Sequence, residues 1–196
     1  MEPQSQDAIS KNESSVTKLT SSSQAILHRL LIAIEKMTTV IGHSAAWLLL
    51  MMVLLQSLVV VLRYGFEIGS IALQESVSYL HACCFMLGAA YTLKVDQHVR
   101  VDIIYRNLSF RKRAWVNLVG AVLFLIPLML LIIWSSVGYV SQAWQVQETS
   151  AEPGGLAFVY LLKTLIPLFA LTLLCQAAAE IIKSLLIILH SPDEAK

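Results

Sequence analysis

Four long apolar stretches, separated by short polar breaks, dominate the chain. They run over residues 42–63, 71–94, 115–140 and 156–189. A helix rises about 1.5 Å per residue, so some 20 apolar residues cross a hydrocarbon core of about 30 Å. Each stretch meets that length. Arg63 and Glu67, with Gly65 and Gly69 between and beside them, close the first. Pro127 and Pro167 fall inside the third and fourth, where each is expected to kink its helix against packed neighbours. No alternating run is long enough to compete as a strand. The pattern predicts an all-α integral membrane protein with four transmembrane helices.

Ahead of the first span, Ile26, Leu27, Leu30, Leu31, Ile34 and Met37 recur at helical spacing, interrupted by His28, Arg29, Glu35 and Lys36. Residues 24–40 are therefore an amphipathic start, either lying along the interface or forming the wet beginning of the first span. Residues 1–23 are polar and rich in Ser and Thr, which predicts a disordered tail, and they lack the charged-then-apolar order of a cleavable secretion signal. The membrane domain occupies 24–190, and 191–196 form a short C-terminal tail.

Charge sets the orientation. Lys94, Arg100, Arg106, Arg111, Lys112 and Arg113 cluster in the central loop, and Lys11, Lys18, Arg29 and Lys36 in the opening segment. The connection 141–155 has no basic residue, only Glu148 and Glu152, and the first turn has only Arg63. The positive-inside rule then predicts cytoplasmic N and C termini and a cytoplasmic central loop. Composition agrees with the class: 57% of residues are hydrophobic and 14% charged, against about a quarter charged in soluble domains. A net charge of +1 supplies no basic field for nucleic acid.

Candidate chemistry is sparse. His43 lies at the cytoplasmic mouth of the first span and His81 two turns into the second from the other side. Axial haem ligands must face one another at one depth, which this placement does not provide. Cys83, Cys84 and Cys175 sit in apolar runs without redox or zinc spacing. No nucleophile elbow, phosphate loop, zinc-protease motif or intramembrane carboxylate pair occurs, so neither enzyme activity nor a cofactor or metal is expected.

The charges at the span ends are more informative, because one at mid-helix costs on the order of 2.5–3.5 kcal/mol. Arg63 and Glu75 meet the same outer interface, as an ion pair or as separately snorkelling groups. Lys163 and Glu180 bracket the fourth span. Gly88-Ala89-Ala90 offers small side chains for close helix approach, to another subunit or within this bundle. Arg111-Lys112-Arg113 suits an anchor for lipid headgroups.

Arg63-Tyr64, Phe66, Glu75, Gly88-Ala89-Ala90 and His98-Val99-Arg100-Val101-Asp102, in this order, resemble the signature of one family: the small, DctQ-like membrane subunit of tripartite ATP-independent periplasmic (TRAP) transporters. The later run of Glu148, Ser150, Pro153-Gly154-Gly155-Leu156, Lys163 and Pro167 is similar to its second landmark. The tail before Gln24 is longer than the family core requires.

The resemblance implies a non-enzymatic subunit of the bacterial inner membrane. It would scaffold a large multi-span permease, usually sodium-coupled, and help a periplasmic substrate-binding protein to dock for organic-acid uptake. Arg63, Glu75, Gly88, Lys94, His98, Arg100, Asp102 and Lys163 become structural or partner-interface candidates, and Glu148 and Glu152 docking candidates. Two other readings are a haem-binding electron carrier and a small self-sufficient oligomeric transporter. Broken helices and midplane polar sites, expected of a complete transporter, are missing from the pattern.

Overall fold

A computed structural model describes residues 4–95 and 108–190, with side chains over 25–95 and 108–189. Among the described residues the protein is entirely helical. The elements are α1 (Gln4–Gly65), α2 (Ile71–Lys94), α3 (Phe110–Gly120), a π-helical turn (Ala121–Leu125), α4 (Ile126–Gln145) and α5 (Val159–His190). Among the described residues, four stretches are long and apolar enough to cross a membrane: Ala25–Gly65, Ile71–Lys94, Phe110–Gln145 and Val159–Leu189.

The amphipathic start is continuous with the first span, because α1 has no break between them. Its 41 residues from Ala25 to Gly65 reach about 60 Å, twice a hydrocarbon core, so one end projects beyond the bilayer. An unbroken helix is the arrangement expected of a wet start to the span. Extending a helix adds one hydrogen bond per residue without a new nucleus, and Glu35, Thr38 and Thr39 of this segment find partners inside the bundle. The backbone is helical back to Gln4, through the stretch expected to be a disordered tail.

Ser70 caps α2, its Oγ accepting from the Leu73 N–H at 3.4 Å. In the preceding turn the left-handed residue is Glu67 (φ 57°), not one of the flanking glycines. The third span is longer than its apolar core, 36 residues from Phe110 to Gln145. Pro127 stands just inside α4, and the wide turn Ala121–Leu125 precedes it. Proline cannot donate to the carbonyl four residues back and crowds it, and a π turn accommodates that defect without ending the span.

Helix α5 is the centre of the bundle. Ala170, Thr172, Leu173, Gln176, Ala177, Ala179 and Ser184 are buried along it. Small side chains let the other helices close on its backbone, and Ala90 of α2 and Met129 of α4 join Ala170 and Leu173 in the core. Outward-facing apolar side chains such as Trp47, Leu123, Phe124 and Trp134 are exposed, as lipid-facing surfaces require.

Candidate functional site

Polar side chains collect at the two ends of the bundle. The loop end carries the turns 66–70 and 146–158; the terminal end carries the last turns of α2 and α5 and the first half of α1.

At the loop end, Glu75 in the first turns of α2 reaches across to the α4–α5 connection. Its Oε2 accepts the Leu156 N–H at 2.6 Å, and its Oε1 accepts from the Ser150 hydroxyl. Ser150 Oγ also accepts from the Glu152 N–H at 3.1 Å, and the Ser150 N–H bonds Leu156 O at 2.9 Å. One carboxylate thus staples the connection 146–158 to a helix 75 positions away in sequence. The glycines permit this. Gly154 has φ +83°, and a Cβ on Gly155 would lie 2.6 Å from Ser150 Cβ and 2.8 Å from Glu75 Oε1. Beside the staple, Lys163 pairs with Glu148, donating to Oε1 at 2.7 Å, and its ammonium lies 4.0 Å from the centre of the Tyr139 ring. Trp144 Nε1 donates to Thr164 Oγ1 at 2.9 Å and its ring meets Tyr160 edge-on.

At the terminal end, polar side chains join α1, α2 and α5. Thr38 and Gln176, both fully buried, share a 2.9 Å hydrogen bond from Thr38 Oγ1 to Gln176 Oε1. Gln176 Nε2 donates to Glu180 at 3.3 Å. Lys183 bridges Glu35 at 2.6 Å and Glu180 at 3.1 Å, so two carboxylates share one ammonium. Lys94 closes the third side, donating to Glu35 O at 3.0 Å and Thr39 Oγ1 at 2.6 Å. Neighbouring Gly42 receives Tyr91: a Cβ there would sit 2.5 Å from Tyr91 Cδ2 and 2.6 Å from its Cβ. His43 Nδ1–H donates to Thr39 O, 2.8 Å away, and the imidazole meets the same ring edge-on.

The structure distributes the sequence candidates unevenly. Glu75, Glu148 and Lys163 come together at the loop end, and Glu152 is exposed on that connection. Arg63 is exposed and does not pair with Glu75, whose two oxygens are turned to the connection instead. Lys94 folds back onto α1. Gly88 meets only Ala45 at 3.9 Å, so the close approach belongs to Gly42 and Ala90 rather than to it. His98, Arg100 and Asp102 lie outside the described residues. Glu148 takes Lys163 as an internal partner.

Thr38, Gln176 and Lys183 were not singled out by the sequence. Their signal is Gln176, Glu180 and Lys183, at helical spacing on one face of an otherwise apolar helix. The two histidines of the haem reading are far apart: His43 lies against Tyr91, and His81 is ten residues earlier on α2, about 15 Å along the axis. The cysteines are all unpaired, and Cys84 donates to Ala45 O at 2.7 Å.

Compared with known proteins, residues 49–186 match the family model described as tripartite ATP-independent periplasmic transporters, DctQ component. No curated protein and no solved structure matches the chain.

Proposed function

Because this chain belongs to the DctQ family, and is therefore a small permease component of a TRAP transporter rather than an enzyme, we propose that it braces a large ion-coupled permease subunit. It is a scaffold in the bacterial inner membrane and carries no transport site of its own. The observation that carries this reading is how the bundle's charges are placed. Glu75, Glu148 and Lys163 at one end, and Glu35, Lys94, Glu180 and Lys183 at the other, take their partners within the chain and lock helices together. A translocating site requires polar groups that exchange partners near the midplane; these groups fix the ends of the helices.

The Lys and Arg bias of the central loop supports cytoplasmic termini and a periplasmic loop end. In that orientation Glu152, exposed on the stapled connection, is offered to a periplasmic substrate-binding protein. Lys94 steadies the cytoplasmic end of α2, and His98, Arg100 and Asp102 of the central loop are candidates for contact with the permease. Organic acids and sodium are the solute class and coupling ion of this reading, handled by the other subunits.

Co-expression with a large TRAP permease subunit from the same genome tests the assembly. The expected result is a stable complex in mild detergent, and loss of solute uptake when this chain is deleted. A permease that purifies without it and transports at an undiminished rate would reject the proposal.

A further inference from the structure

An open groove of about 460 Å³ runs between α1 and α2, lined by Met52, Val53, Gln56, Ser57, Ser78 and His81. Gln56 and His81 are exposed to the outside of the bundle. Counting from the charges that mark the loop end, Gln56 lies seven residues below Arg63 and His81 six below Glu75. At 1.5 Å per residue both sit about 10 Å inside the membrane, at the same depth on adjacent helices. Ser57 and Ser78 satisfy their hydroxyls on their own helices, at Val53 O and Gln74 O. Among the described residues Gln56 and His81 have no hydrogen-bond partner, and the His81 ring has only the stacked Phe85 beside it.

Polar side chains at this depth normally face a bundle interior, because hydrocarbon offers them no hydrogen bonds. We infer that the α1–α2 groove is the seat of a transmembrane helix of the large permease subunit, one that presents polar side chains or a freed backbone carbonyl to Gln56 and His81. Acyl chains fill such a groove but leave an amide and an imidazole unsatisfied. A second copy of this chain is a poor fit, since a two-fold interface needs a self-complementary surface and a groove facing its own image is hollow. The occupant therefore protrudes, is helical, and carries hydrogen-bonding groups about 10 Å below the membrane surface. This inference rests on the permease assembly proposed above and assigns its contact.

The test uses the full chain co-expressed with its permease, with a photo-crosslinking benzoylphenylalanine at Val53 or Ser78, which leaves Gln56 and His81 intact. The expected product is an adduct with the permease. In parallel, the double variant Gln56→Leu/His81→Leu should insert as well as the parent and bind the permease about tenfold more weakly. A complex that forms normally, with adducts only to lipid or to a second copy of this chain, or with no adduct and unchanged affinity in the double variant, overturns the groove assignment while leaving the assembly standing. Failure of the permease to co-purify with the parent chain overturns both.

Discussion

The two ends of the bundle solve the same problem with different materials. At the loop end a single carboxylate, Glu75, holds a connection through one side chain and one backbone N–H. At the terminal end seven side chains from three helices hold one another, with Thr38 and Gln176 buried at the centre. The first arrangement fixes a loop whose outer surface stays open. The second fixes helix against helix. The difference assigns rigidity: the terminal end sets the angle between α1, α2 and α5, while the loop end sets the shape of a surface.

The sharpest way to break the terminal end is steric. Gly42→Ala drives a methyl into Tyr91, including its Cβ, so the clash cannot be relieved by rotating the ring. Overpacking of this kind costs about 1–3 kcal/mol, and unfolding in mixed micelles should show it as the largest single loss of the set.

Next comes the buried pair. Thr38→Val leaves the Gln176 amide with an unsatisfied oxygen, at a cost of about 1–3 kcal/mol. Adding Gln176→Leu removes the stranded group, so the double variant should recover to within about 1 kcal/mol of the parent. The same unfolding assay reads this cycle. A double variant no better than the sum of the singles would mean that Glu180 and Lys183, not the buried pair, dominate this end.

The loop end should behave otherwise. Glu75→Leu strands the Leu156 N–H, and no second side-chain replacement can remove a backbone group. Ser150→Ala should therefore give no recovery when combined with it. Because water reaches this end, the fall in global stability should be smaller than for Thr38→Val. Proteolytic cutting within 146–158 should rise more than in any terminal-end variant. Equal protection of the connection in Glu75→Leu would show that the staple is not what orders it.

Much of this architecture was legible in the sequence because membrane spans are written locally, as long apolar runs bounded by charge. Glu75 and Lys163 stood out for the same reason. Their partners did not, since Ser150 and Leu156 are 75 and 81 positions from Glu75 and nothing local encodes that meeting. The turn was legible in Pro153-Gly154-Gly155, but the reason for Gly155, contact with Glu75 itself, needed the fold. At the terminal end, Glu35 looked like an interruption of an amphipathic helix; only the packing of α1 on α5 makes it the partner of Lys183. Gly42 looked like the edge of a span, and its role depends on where Tyr91 points. Pro127 marked a disturbed helix correctly, and the π turn before it decides the form of the disturbance.

The central claim, that this chain braces a transporter without carrying solute, is tested most directly by solute uptake into proteoliposomes with defined components. The prediction is no uptake with this chain alone, and uptake with this chain, the permease and the binding protein together that is lost when this chain is omitted. Uptake by this chain alone would contradict the account.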